Sequence, residues 1–187
     1  HRDLPTEETP SKPGLQMILQ PVGAELGQAL GIKNGVRVAF VYPGRGADKQ
    51  DCAASRIQAQ FPDALIVHRL DMATSGLLLL ARGPAMQSRL SQLFRERQVD
   101  KRYRAVVAGH LAQDEGEIDL PLITDWPNRP LQKVDFVAGK PSLTRFRREA
   151  YNAASDSSRV LLEPVTGRSH QLCLHLAALG RPILGDD

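Results

Sequence analysis

The chain has 187 residues, 42% hydrophobic and 24% charged, with 24 Lys plus Arg against 21 Asp plus Glu. That is globular composition with length for one full domain, and no apolar run approaches the roughly twenty residues of a membrane helix. Two distant cysteines, Cys52 and Cys173, exclude a disulfide scaffold or a zinc knuckle and suit a reducing cytoplasm. Residues 1–13, rich in Pro, Thr and Glu, are expected to form a flexible tail. Residues 14–43 follow as an atypical N-terminal segment: extended over 15–19, a short helix over 24–30 and a strand over 36–42. Pro43, Gly44, Arg45 and Gly46 then make a turn.

From residue 44 onward the pattern is one of short strands and helices. A helix is expected over 52–61, and strands over 64–68 and 77–82 flank a polar loop at 69–76. Met86, Leu90, Leu93 and Phe94 recur at three-to-four spacing, which predicts an amphipathic helix over 84–98 with Pro84 in its first turn. Strands are expected over 103–109, 131–137, 143–148 and 160–165. A closing helix capped by Ser169 should run to Leu179, ended by Gly180 and Pro182. Helices interspersed among strands without strict alternation indicate an α+β fold.

Charge is unevenly distributed. The basic residues are 18 Arg and 6 Lys, and Arg95, Arg97, Lys101, Arg102 and Arg104 outnumber Glu96 and Asp100 within one ten-residue run. A second run holds Arg129, Lys133, Lys140, Arg145, Arg147 and Arg148 against Asp135 alone. Either run could contact a polyanion, because phosphate neutralisation supplies most non-specific affinity for nucleic acid; either could equally be a solvated face.

The loop His68-Arg69-Leu70-Asp71-Met72-Ala73-Thr74-Ser75-Gly76 sets a carboxylate beside an arginine between two apolar segments. Asp71 could serve as a nucleophile if a cation keeps it ionised, or Asp71 and Thr74 could be turn residues bonding their own backbone.

The run from His68 through Ala81 resembles the signature of the RluA family of pseudouridine synthases. Lys101-Arg102-Tyr103-Arg104-Ala105 resembles that family's second motif, and Thr166-Gly167-Arg168-Ser169-His170-Gln171-Leu172 its third. Asp125-Trp126-Pro127-Asn128-Arg129-Pro130 and Gly139-Lys140-Pro141 are similar to segments of members with dual specificity for 23S ribosomal RNA and a transfer-RNA anticodon stem-loop. The resemblance runs from about residue 43 to 186. It implies a mixed, mostly antiparallel sheet with flanking helices over 44–187, lacking the family's usual first strand and C-terminal end.

It also implies isomerisation of uridine to pseudouridine in RNA, with no metal or organic cofactor, by a chain expected to be a cytoplasmic monomer. Asp71 would be the nucleophile, Arg168 its ion-pair partner and Tyr103 the aromatic that stacks on the base and takes the C5 proton. Arg69 would fill the space left by the flipped uridine. Thr74, Arg45, Arg95, Arg97, Lys101, Arg102, Arg129, Lys133, His170 and Gln171 would contact RNA or substrate. Tyr103 and Arg168 also admit structural readings, and Trp126 either supports a base or closes the core. His68 and His175 are expected to be structural, and His170 and His175 not to bind metal.

Three features depart from the family. Cys173 stands where an arginine is usual, the chain stops at Asp187 where the family continues, and no apolar strand ending in Asn-Lys-Pro precedes Pro43. Residues 14–44 instead resemble the first part of a PDZ domain of the kind that follows HtrA-type serine proteases, which binds peptides by β-augmentation. A non-catalytic fusion or remnant that binds RNA or peptide is therefore the alternative to an enzyme.

Overall fold

The computed structural model describes residues 15–18, 37–38, 53–71, 74–129 and 131–185. Its main sheet has seven strands. In chain order these are β1 (Leu15–Ile18), β2 (Arg37–Val38), β4 (Thr74–Leu77), β6 (Arg102–Ala108), β7 (Glu115–Asp119), β10 (Leu143–Asn152) and β11 (Ser157–Pro164). In space they run β2-β4-β1-β6-β11-β10-β7. Only β1 and β4 are parallel; every other pairing is antiparallel, which gives the mixed, mostly antiparallel sheet expected of an α+β chain. Two small ribbons stand apart from it, β3 (Ala64–Ile66) with β5 (Leu80–Arg82) and β8 (Leu122–Thr124) with β9 (Gln132–Val134).

Leu15–Ile18 is extended, as its sequence predicts, and lies between β4 and β6. Arg37–Val38 adds an edge strand beside β4. The remainder of the expected N-terminal helix and strand, the turn carrying Arg45 and most of the PDZ-like segment lie outside the described residues.

Side chains alternate across β6, β10 and β11, and the alternation decides which face is covered. Ala105, Val107, Phe146, Val160 and Leu162 point to one face and bury against Leu172 and Leu176 of helix α3 (Gln171–Ala178). The intervening residues of the opposite face form ion pairs, Arg102 with Glu163 at 3.0 Å, Arg104 with Glu149 at 3.0 Å and Arg145 with Glu117 at 2.8 Å. A second, smaller core joins Ala81 and Leu90, and so packs helix α2 (Gly83–Arg95) on the β3–β5 ribbon.

Helix boundaries shift for local reasons. Helix α1 (Ala53–Gln58) is shorter than the expected 52–61. Helix α2 stops at Arg95, short of Gln98, because Arg97 takes a left-handed φ of 61° and Gln98 N–H returns to the Leu93 carbonyl at 2.9 Å. At the end of α3 Gly180 adopts φ 70°, and Arg181 N–H bonds the Leu176 carbonyl at 2.9 Å, the expected glycine stop. Ser169 does not cap this helix. His170 occupies the cap position in the left-handed region and makes no side-chain cap bond. Among the described residues no helix is long and apolar enough to cross a membrane.

Candidate active site

Three segments distant in sequence converge on one cleft. The loop before β4 brings His68 to Asp71, the start of β6 brings Lys101 and Tyr103, and the turn from β11 into α3 brings residues 164–173. The cleft encloses about 330 Å³, near the lower end of ligand-binding clefts. Asp71, Tyr103 and Arg168 all line it, together with Arg69, Thr74, Lys101, His170 and Gln171.

The Asp71 carboxylate is held from two sides. Arg69 Nη2 approaches Oδ1 at 3.5 Å, and the backbone N–H of His170 donates to Oδ2 at 3.2 Å. Below them the loop closes on itself through Thr74 N–H to the Asp71 carbonyl at 2.9 Å. The expected ion pair between Asp71 and Arg168 is not formed. Arg168 is exposed on the same cleft and makes no ion pair among the described residues, while the nearer Arg69, two residues from Asp71, takes the carboxylate. The Arg69 guanidinium turns back on its own loop.

Tyr103 forms one wall. Burial, aided by the negative charge of Asp71, pushes its phenol up to about 12. At neutral pH the hydroxyl therefore keeps its proton. Lys101 is pushed the other way by burial and by the charge of Arg97, and its Nζ donates to the Thr166 carbonyl at 3.3 Å. A protonated lysine has three donors, so a cation with spare capacity faces the cleft.

His68 is structural, as its sequence context suggests. Its Nε2 accepts the Leu79 N–H at 2.9 Å, its ring stacks on Phe94 at 4.7 Å, and burial lowers its pKa to about 4. An ordinary histidine in the unfolded chain titrates near 6.5, so the neutral ring contributes its full stability above that pH. The contribution is lost progressively as pH falls from 6.5 toward 4, where the unfolded chain takes up the proton first. Allowing for solvent at the cleft, about 2 kcal/mol is expected to disappear over that window. Denaturant titrations between pH 7.5 and 4 should show it, and His68→Gln, which retains an acceptor for Leu79, should flatten the slope in part. The remainder belongs to groups such as His175, which burial also depresses.

Gln171 departs most from expectation. It is 3% exposed, and its amide is saturated by protein. Oε1 accepts from the Thr166 hydroxyl at 2.7 Å and Arg168 N–H at 3.0 Å, while Nε2 donates to the Leu143 carbonyl at 3.0 Å and Thr144 Oγ1 at 2.9 Å. It is a structural anchor with no group left over for RNA. Arg102, on the opposite sheet face, is paired with Glu163 and does not reach the cleft. Arg95 and Arg97 are exposed at the C-terminal end of α2.

Lys133 lies on β9 and Arg129 in the connection from β8 to β9, both away from the cleft lining. There the Arg129 guanidinium sits 3.1 Å from the centroid of the Trp126 ring, and Trp126 is 67% exposed, so it does not close the core. The residues that sequence reasoning missed are Phe94, Thr166 and the buried Thr144. Only the alternation of β10, which turns Thr144 inward with Phe146, offered a signal for the last.

Residues 42–178 match the family described as RNA pseudouridylate synthase. The chain belongs to this family. It is 53% identical over 148 residues to the dual-specificity RNA pseudouridine synthase RluA of Vibrio parahaemolyticus, covering 78% of this chain and 59% of that protein. With the Escherichia coli K12 protein of the same name it shares 52% over 144 residues, 77% of this chain and 65% of the relative. The chain thus spans about three-fifths of the length of the first of these relatives.

Among solved structures, human RNA pseudouridylate synthase domain containing 1 superposes with a TM-score of 0.64 at 29% identity, over 96% of this chain and 71% of that one. Human domain containing 4, with a TM-score of 0.62 at 24% identity over 87% and 70% of the two chains, shares the fold. The α+β architecture is that of pseudouridylate synthase domains.

Proposed function

We propose that the chain is an RNA pseudouridine synthase that isomerises a uridine flipped out of a structured stem-loop. The observation that carries this reading is the convergence of Asp71, Tyr103 and Arg168 on a single cleft. The reaction needs a nucleophile at C1′ or C6, cleavage of the C1′–N1 bond, retention of the free base while it turns, and rejoining through C5 with loss of the C5 proton. Asp71 is the nucleophile, presented on a short loop with its carboxylate accepting the His170 N–H. Tyr103 stacks on the base; its raised pKa supports that role over acceptance of the C5 proton.

When the uridine flips, Arg69 leaves Asp71 for the space in the stem, and Arg168, already on the cleft, becomes the cation beside the carboxylate. Lys101 suits the phosphate or the developing charge of the target nucleotide. The RNA is a 23S ribosomal or transfer-RNA anticodon stem-loop, a reading supported by the likeness to dual-specificity relatives, and the setting is the cytoplasm. Incubation of the chain with both unmodified RNAs, followed by carbodiimide mapping, should reveal pseudouridine at a defined position. No modified site on either would overturn the proposal.

Phosphate contacts should dominate affinity. Arg97 acts on the cleft residue Lys101 through its charge and Arg95 is exposed close to it in sequence, which supports both as phosphate contacts, whereas Arg102 is held by Glu163 on the far face. The double replacement of Arg95 and Arg97 by Ala should flatten the dependence of log K on log salt by about one to two, since each phosphate that is no longer neutralised removes about 0.7 to 0.9 from the slope. Arg102→Ala should leave the slope unchanged. Filter-binding titrations at several salt concentrations separate the two, and equal effects would disprove the assignment.

A further inference from the structure

A chain of buried hydrogen bonds runs away from the active site into the domain. The Leu143 N–H donates to Thr166 Oγ1 at 2.9 Å, and the Thr166 hydroxyl donates onward to Gln171 Oε1. From Gln171 Nε2 the path continues to Thr144 Oγ1 at 2.9 Å, from Thr144 to His175 Nδ1 at 2.9 Å, and from His175 Nε2 to the Leu120 carbonyl at 3.1 Å. Thr144 and His175 are wholly buried.

Donor and acceptor rules, with the burial of His175, leave one consistent direction for these protons. An amide nitrogen only donates and a backbone carbonyl only accepts. Burial disfavours a charged His175, and the Leu120 carbonyl takes the proton of its Nε2, so Nδ1 accepts and the Thr144 hydroxyl donates to it. Every member is satisfied, a condition under which a buried polar network fixes one geometry.

This network brackets a strained residue. His170 adopts φ 52°, a left-handed conformation that costs a non-glycine residue about 1 kcal/mol or more. Such a residue persists only where its surroundings over-determine it. Its neighbours on both sides are tied to the Gln171 amide, Arg168 through its backbone N–H and Gln171 itself through the side chain. The strained residue is the one whose N–H holds Asp71 Oδ2.

We infer that Thr144, which does not line the cleft, is a positioning residue: through Gln171 it holds the 166–171 turn so that the His170 N–H stays registered on Asp71 and Arg168 stays on the cleft. The inference rests on Asp71 being the nucleophile of the proposed reaction.

The test compares Thr144→Val, which keeps the shape and removes the hydroxyl, with Thr144→Ser, which keeps the hydroxyl. Single-turnover pseudouridine formation on the stem-loop RNA should fall at least tenfold in Thr144→Val, with RNA affinity within about twofold of the parent, and Thr144→Ser should restore most of the rate. A Thr144→Val protein that turns over within twofold of the parent would overturn the inference, as would a loss of rate matched by an equal loss of RNA affinity. Thr144→Ala carries the same comparison should the valine variant not fold.

Amide hydrogen exchange at residues 168–171 supplies a readout independent of turnover. It should quicken in Thr144→Val and not in Thr144→Ser. If the parent itself forms no pseudouridine, the functional reading fails and exchange alone decides the positioning: quickened exchange upholds it and unchanged exchange refutes it.

Discussion

Asp71→Asn is expected to abolish pseudouridine formation, by a factor above about 10³, while RNA affinity changes by no more than about threefold. The substitution removes the nucleophilic oxygen and its charge and leaves nearly everything else in place. An asparagine oxygen can still accept the His170 N–H, so the turn into α3 keeps its anchor. The loop keeps its internal closure from the Thr74 N–H to the Asp71 carbonyl, which is backbone. Affinity survives because phosphate contacts, not this carboxylate, dominate binding. Removing a negative charge near RNA could even tighten it slightly. Single-turnover assays and binding titrations on the same RNA separate the two quantities. An Asp71→Asn protein that still forms pseudouridine near the parental rate would remove Asp71 from the mechanism.

The sequence exposes some parts of this molecule and hides others for physical reasons. Helix α2 is legible because Met86, Leu90 and Leu93 repeat at helical spacing and pack on a ribbon next to them in sequence. Its last three expected residues fail because a left-handed residue, here Arg97, can end a helix without the glycine that usually marks such a stop. Strand β7 has no visible pattern. Of Glu115–Asp119 only Ile118 is buried, and the strand exists because β10 offers it a partner. Strand β4 reads as loop from its Thr-Ser-Gly content, yet neighbours on both sides impose extension.

Strand β10 extends to Asn152, beyond the expected 148, because pairing with β11 continues past a bulge between Arg148 and Ala150. The catalytic assignment differs in kind. Nothing local distinguishes Asp71 from a turn aspartate, so it emerges from motif resemblance and gains support from a cleft built by three remote segments. The role of Gln171 was hidden for the opposite reason. Its motif position suggested RNA, whereas its partners, Thr144 and the Leu143 carbonyl, are set by tertiary register that no local pattern encodes.

Arg168→Ala should lower turnover by about 10²- to 10³-fold, the loss typical of removing one preorganised stabiliser of charge at a reacting centre. In the structure Asp71 has a cation, Arg69 at 3.5 Å, and Arg168 stands exposed on the same cleft. Under the proposed mechanism the two arginines divide in time. In the proposed reaction Arg69 occupies the carboxylate before the uridine arrives and leaves for the base to enter, and Arg168 then takes its place beside the nucleophile. Arg69→Ala should accordingly weaken substrate engagement, raising KM more than it lowers kcat, and Arg168→Ala should do the reverse. Arg168→Lys keeps the charge but not the planar two-toothed fork, so it should recover only part of the lost rate. Steady-state kinetics on the three variants discriminate sharply, because a kcat loss confined to Arg69→Ala, with Arg168→Ala at the parental rate, would give the role of catalytic cation to Arg69 and leave Arg168 as a surface residue.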